Sequence, residues 1–95
     1  MNEDIKKQLL LIYSNKKEKI LDGLEYLKKN LPINDEVNYK TNFHVIGKLM
    51  NNINELEKLK LNEKIFKLGE IIKEYEIILG KINLRNKKIS ISYNN

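Results

Sequence analysis

Between residues 61 and 82, apolar residues recur at alternating spacings of four and three, and this pattern constrains the fold more than any other feature. The residues are Leu61, Ile65, Leu68, Ile72, Tyr75, Leu79 and Ile82. Such spacing places the side chains on one stripe of an α-helix, and the stripe is stable only when it is buried against another helix. The pattern therefore predicts a long helix that packs against other helices.

A first helix is predicted over residues 3–30. Asn2 precedes it as a cap, and acidic residues at its start and lysines at its end suit the helix dipole. Gly23 inside it costs about 1 kcal/mol relative to alanine, which suggests that another helix passes close by. Pro32 ends the helix. Its apolar stripe comprises Ile5, Leu9, Ile12, Ile20, Leu24, Leu27 and Leu31.

Two further helices are predicted, over residues 35–59 and 62–83. A later start of the second helix, at Thr41 or Asn42, is the alternative. Leu56 and Ile65 are nine residues apart, or about 900° of helix rotation, so a continuous helix would place the two apolar stripes on opposite faces. A break near residues 59–62, with Asn62 as a cap, brings both stripes to one core. Because no Gly or Pro enforces that break, one bent helix that pairs with a second chain remains an alternative.

The C-terminal tail is basic. The chain carries a net charge of +5, and four of these charges come from the last fifteen residues, which contain no acid: Lys81, Arg85, Lys87 and Lys88. Within the tail, Ile89, Ile91 and Tyr93 alternate with polar residues, which is the period of a β-strand. We therefore predict an all-α, three-helix antiparallel bundle over residues 1–83, followed by a strand-like or flexible tail over residues 84–95. A dimerising helical hairpin is the alternative architecture.

The composition argues against catalysis and against metal or cofactor binding. The chain has no cysteine, and its one histidine, His44, is not preceded by a glutamate at the spacing that di-metal bundles use. We expect His44 to be partly buried. The isolated glycines form no phosphate-binding loop, and the longest aliphatic run is far shorter than the roughly 20 residues of a membrane span. These features predict a cytoplasmic, non-enzymatic protein without a cofactor.

The surplus of apolar residues on the third helix predicts a protein-binding surface. Phe66, Ile71 and Ile78 flank the heptad stripe, and they form either part of the core or a face for a protein partner or a second copy. The last fifteen residues would add to this surface Lys81, Arg85, Lys87, Lys88, Ile89, Ile91 and Tyr93. The predicted function is inhibition or regulation of a protein partner by surface binding. The alternatives are non-specific nucleic-acid binding through the basic tail and, more weakly, association with a membrane surface.

In length, basic charge, helical layout and polar C-terminal tail, the chain is similar to immunity proteins against pediocin-type bacteriocins. The order of apolar residues from Val45 through Asn62 to Ser92 carries the similarity. The chain lacks the tyrosine–glycine ending of that family and has no motif diagnostic of it. The similarity implies a helical accessory protein that acts by binding, and it does not assign the chain to the family.

Overall fold

A computed structural model describes residues 2–32 and 36–94, with side chains described up to residue 83. The chain forms a three-helix bundle, which confirms the predicted fold class. The helices are α1 (Glu3–Lys29), α2 (Glu36–Glu55) and α3 (Leu61–Asn94), with a short 3-10 turn (Leu56–Lys58) after α2. No helix in this part of the chain is long and apolar enough to cross a membrane.

Helix α1 begins and ends where its sequence predicts. The Asn2 side-chain oxygen accepts a hydrogen bond from the backbone N–H of Asp4 at 2.8 Å, which satisfies one free donor of the first turn. At the other end, the backbone N–H of Asn30 donates to the carbonyls of Tyr26 and Leu27. Two acids occupy the first turn and two lysines the last, so both ends complement the helix dipole.

The predicted break between the second and third helices is confirmed. After the 3-10 turn, Leu59 adopts an extended backbone (φ −97°, ψ 158°), and α3 begins at Leu61. This reversal lets the apolar stripes of α2 and α3 face the same core. The prediction that Asn62 caps α3 was wrong, because the helix starts one residue earlier and Asn62 lies inside its first turn.

The core lies along the common axis of the bundle. The three helices and their adjoining turns contribute equally to it: Tyr13, Leu24, Leu27 and Leu31; Ile46, Leu49, Ile53 and Leu56; Leu68, Ile71, Ile78 and Ile82. Of the predicted α3 stripe, Leu68 and Ile82 are buried, whereas the other five residues are half-buried. The buried face of α3 therefore also includes Ile71 and Ile78, which flank the predicted stripe.

Helices α1 and α3 run in the same direction and come closest near Gly23. A Cβ atom at position 23 would lie 3.0 Å from Cζ of Tyr75 and closer still to the Tyr75 hydroxyl oxygen. The missing side chain thus makes room for the Tyr75 ring. This contact confirms that another helix passes close to Gly23.

The C-terminal tail differs from the prediction. Helix α3 continues through residue 83 to Asn94, so the backbone of residues 89–93 is helical and the strand, one of the two predicted forms of the tail, was wrong. Flexibility of the tail, the other predicted form, stays a prediction. A strand needs a neighbouring edge to pair with, and the described residues provide none. Extending an existing helix instead satisfies one further backbone hydrogen bond with each added residue.

Candidate interaction surface

A shallow apolar groove runs between α1 and α3 on the side away from α2. We call it the α1–α3 groove, and its volume is about 100 Å³. Its floor is formed by the buried side chains of Tyr13 and Leu68. The remaining lining residues stand higher on the two helices: Leu9, Ile12 and Lys16 on α1, and Ile65, Gly69 and Ile72 on α3.

Large apolar side chains are exposed along this groove. Ile12 is 49% exposed, and Ile5, two turns earlier on the same face of α1, is 55% exposed. On α3, Phe66 is 66% exposed and lies three residues before Gly69, which makes the two residues neighbours on the helix surface. Other exposed apolar residues, such as Val37, lie apart from the groove. Ile12 therefore lines the groove itself, and Ile5 and Phe66 extend its exposed apolar surface along the two helices.

The groove stays open because α2 lies against the opposite side of α1 and α3. Helix α2 has 20 residues and α1 has 27, or about 30 Å and 40 Å of helix. Among the described residues, the first turns of α1 have α3 as a neighbour and no third helix on the groove side. Ile5 and Ile12 were predicted to lie in the core, and the structure leaves both largely exposed.

Three lysines flank the groove. Lys16 lines it directly, and Lys19 follows one turn later on α1. On the other wall, Lys73 follows Gly69 by four residues and lies on the same side of α3. None of the three forms an ion pair with another of the described residues. Glu76, one turn after Lys73, is the acid on this flank, so the groove edge carries excess positive charge.

A second and larger depression lies on the other flank of α3. This α2–α3 groove has a volume of about 390 Å³, and charged residues dominate its rim. Lys58 pairs with Glu55 at 2.8 Å, and Lys67 pairs with Glu70 at 3.7 Å. Each of these ion pairs lies along one wall of the groove. A partner that binds there would therefore have to compete with charges that already form ion pairs.

Tyr13, in the floor of the α1–α3 groove, lies among charged residues. The Nζ atoms of Lys17 and Lys64 lie 5.7 and 5.5 Å from its ring centroid, within cation–π range. Lys17 also forms an ion pair with Glu57, which lies on the 3-10 turn. The Tyr13 hydroxyl is buried without a hydrogen-bond partner among the described residues.

These contacts shift three pKa values in the directions that keep each group in its ordinary charge state. Burial, and then the charge of Glu57, raise the pKa of Tyr13, so its hydroxyl stays protonated at neutral pH. The hydrogen bond between Lys17 and Glu57 raises the pKa of Lys17 and lowers that of Glu57. The cluster thus stabilises charges and activates neither a nucleophile nor a base.

The structure separates the residues that the sequence grouped as a partner surface. Ile71 and Ile78 are 6% and 3% exposed and belong to the core, so neither is available on the surface. Phe66 and Lys81 are exposed. The side chains of Arg85, Lys87, Lys88, Ile89, Ile91 and Tyr93 lie outside the described residues, and binding through them stays a prediction.

The place of Gly69 in the groove was not predicted from the sequence, and the prediction for His44, which lies outside the groove, was wrong. Gly69 has open space where a Cβ would be, and its place in the groove depends on how α1 and α3 are rotated against each other. His44, expected to be partly buried, is exposed on α2. Within the described part of the chain, no three His, Asp or Glu residues are clustered closely enough to hold a metal ion.

Comparisons with known proteins add no assignment. A scan against protein-family models found no match, and searches of curated proteins and of solved structures found none either. Function must therefore be argued from the geometry of the two grooves and from the basic C-terminal segment.

Proposed function

We propose that this chain is a non-catalytic helical protein that binds a protein partner through the α1–α3 groove and thereby inhibits or regulates it. The observation that carries the proposal is the exposure of Ile12 in the groove lining, with Ile5 and Phe66 exposed beside it, where none of the described residues covers the groove. Contiguous exposed apolar surface is uncommon on small proteins that act alone, and it is typical of contact surfaces.

The energetics favour a covered groove. Removing apolar surface from water contributes about 25 cal/mol for each Å² buried, so covering these side chains would stabilise a complex by several kcal/mol. Part of that gain is offset by the loss of free motion on association. Phe66 suits the role of an anchor, since large aromatic residues often contribute much of the affinity at protein interfaces.

The lining of the groove supports binding rather than chemistry. Its residues are aliphatic, aromatic or glycine, apart from Lys16. The Tyr13 hydroxyl in its floor is buried and kept protonated by its raised pKa. A general acid or base needs a pKa near the working pH, and the described groove residues supply no such group.

The alternative function is non-specific nucleic-acid binding through the C-terminal part of α3. The supporting observation is that the backbone stays helical to Asn94, across a segment that carries four positive charges and no acid. The spacings between Lys81, Arg85 and Lys88 are four and three residues, which is the spacing of one helix face. Three or four phosphate contacts would give weak binding that falls steeply as salt rises.

Affinity capture from a lysate of the source organism separates the two functions when a matched pair of variants is included. Gly69→Leu fills the groove, and Gly47→Leu places the same side chain on α2, where a Cβ also meets open space. Both substitutions replace glycine within a helix, so both should raise helix stability by a similar amount. Circular dichroism of the two purified variants checks that they fold equally well.

We expect one stoichiometric protein that survives nuclease and high salt, is retained by Gly47→Leu and is lost with Gly69→Leu. Retention of that protein by Gly69→Leu would contradict binding at the groove. Recovery of nucleic acid that high salt removes, with no protein partner, would favour the alternative function.

A further inference from the structure

We propose that the occupant of the α1–α3 groove is an amphipathic α-helix of the partner protein, with carboxylates along the edge of its apolar face. This inference rests on the proposed function and specifies its partner. It follows from the shape of the groove, from its length and from the charges on its two walls.

The shape of the groove fits a helix. Its walls are the same two helices that hold α2 on the opposite side, and a cleft between two aligned helices accepts a third by ridges-into-grooves packing. Gly69 leaves open space in one wall, so a helix backbone can approach closely there. A bound helix would be the fourth helix of the assembly and would pack against α1 and α3.

The length of the groove suits a short recognition helix. On α1 the groove runs from Leu9 to Lys16, or about 10 Å, which is two helical turns. The exposed Ile5 extends the apolar face by about one further turn. Beyond this region the groove closes where Tyr75 packs against Gly23. A partner segment of three to four turns would contact Ile5, Ile12 and Phe66 with residues spaced i, i+4 and i+7.

The charges select an acidic partner. Lys16 lines the α1 wall. Lys19 lies one turn later on α1, and Lys73 follows Gly69 by one turn on α3. The three lysines lack ion-pair partners among the described residues. Carboxylates on both edges of an incoming helix would lie opposite these lysines. In a two-fold dimer the groove of one copy would face the same groove of the other, so lysines would face lysines, which disfavours that arrangement.

Two synthetic helical peptides of about 18 residues test this inference directly. Both carry the same leucine face, one with glutamates along its edges and the other with lysines at the same positions. Fluorescence anisotropy measures the binding of each labelled peptide to the full chain. Because three exposed charge pairs contribute modestly, we expect the glutamate-edged peptide to bind about tenfold more tightly than the lysine-edged peptide at low salt.

Charge-reversal variants identify the lysines responsible. Lys16→Glu, Lys19→Glu and Lys73→Glu together should reverse the peptide preference. A control with Lys7, Lys29 and Lys48 each changed to Glu makes the same change in net charge, away from the groove, and should retain the original preference. Gly69→Leu should abolish binding of both peptides, while Gly47→Leu should leave it unchanged.

Equal affinity for the two peptides, or no binding of either, would overturn the acidic-helix occupant. Binding to vesicles of phosphatidylglycerol and phosphatidylcholine that is lost in Gly69→Leu would assign the groove to a lipid surface and overturn it as well. So would a dimer in sedimentation that dissociates in the same variant. If the peptides fail while the captured protein is still lost with Gly69→Leu, the proposed function stands and only the helix is wrong.

Discussion

The two grooves that flank α3 differ in how well they suit a binding partner, and their volumes alone would rank them in the wrong order. The α2–α3 groove is about 390 Å³ and the α1–α3 groove about 100 Å³, yet the larger one is edged by residues that already pair with each other. Lys58–Glu55 and Lys67–Glu70 occupy its rim. The smaller groove has exposed Ile12 and Phe66 beside it, together with lysines that have no ion-pair partner among the described residues.

This difference shows how a bundle of three unequal helices can leave apolar surface exposed on one side. Helix α2 covers the apolar side chains of α3 on one side, and the Lys58–Glu55 and Lys67–Glu70 ion pairs each lie along one wall of the groove there. On the other side, the first turns of α1 have no third helix among the described residues to cover them. A partner gains more free energy where apolar surface and unmatched charge coincide than where charges must first be separated.

The largest expected effect is a difference in stability between two variants, one in the floor of the α1–α3 groove and one beside the groove. Leu68, in the floor, is 2% exposed, so Leu68→Ala leaves a cavity and should lower the free energy of unfolding by about 2–5 kcal/mol. Phe66→Ala, beside the groove, should change the free energy of unfolding by less than about 0.5 kcal/mol. Urea unfolding followed by circular dichroism measures both. A large loss of stability for Phe66→Ala would mean that Phe66 is structural.

The next effect tests where the groove closes. In an exposed helix interior, Gly→Ala stabilises by about 1 kcal/mol, and Gly47→Ala should do so. Gly23→Ala should be less stable than Gly47→Ala by about 1–3 kcal/mol, because the new Cβ meets the Tyr75 ring and forces it to move. Thermal unfolding of the two variants gives the comparison. Equal stability would place α1 and α3 farther apart than the structure shows.

A smaller effect concerns the polar atom in the groove floor. The Tyr13 hydroxyl is buried and has no partner among the described residues, and a buried polar group without a hydrogen bond is destabilising. Tyr13→Phe should therefore leave the free energy of unfolding unchanged or raise it by about 1 kcal/mol, with peptide binding intact. A marked loss of stability in urea unfolding would show that the hydroxyl is hydrogen-bonded in solution.

The smallest effect is the pH dependence of the Lys17–Glu57 ion pair, whose partners lie on α1 and the 3-10 turn. Because the pKa of Glu57 is lowered in the folded state, its contribution to stability is present above the ordinary glutamate pKa. That contribution is lost as the pH falls through the lowered value. The raised pKa of Lys17 gives a matching contribution, which is lost only in strong alkali as the pH rises through that value.

Glu57→Gln should therefore be slightly less stable than the natural chain at neutral pH, and the difference should shrink as the solution is acidified. Urea unfolding at a series of pH values measures it, with Glu25→Gln as the control, since Glu25 is exposed and forms no ion pair with another described residue. A difference that persists unchanged into acid would mean that the ion pair does not cause it.

The sequence predicts the helices well because their signals are local. The cap at Asn2, the stop at Pro32 and the phase change between Leu56 and Ile65 each act within a few residues. The close approach at Gly23 was also predictable, since a glycine inside a helix indicates a neighbour. The continuation of α3 to Asn94 was not, because an alternating Ile-Ser pattern suits a strand and gives no sign that a preceding helix will extend through it.

The binding surface was harder to predict than the fold. Phe66, Ile71 and Ile78 look alike in the sequence, and which of them is buried depends on the rotation of α3 against α2. Ile5 and Ile12 continue the same stripe as the buried Leu24, and their exposure follows from where the neighbouring helices lie. Exposure of these residues depends on how the helices pack. The sequence alone therefore identifies the apolar residues that could form a surface, but not which of them are exposed.

The measurement that tests the central claim most directly is photo-crosslinking from the two grooves in cells of the source organism. A benzophenone amino acid replaces Phe66 beside the α1–α3 groove in one variant, and Glu74 beside the α2–α3 groove in the other. Both positions are exposed. We predict a single protein adduct from position 66 and none from position 74. An adduct from position 74 alone would contradict the assignment of the α1–α3 groove as the binding surface.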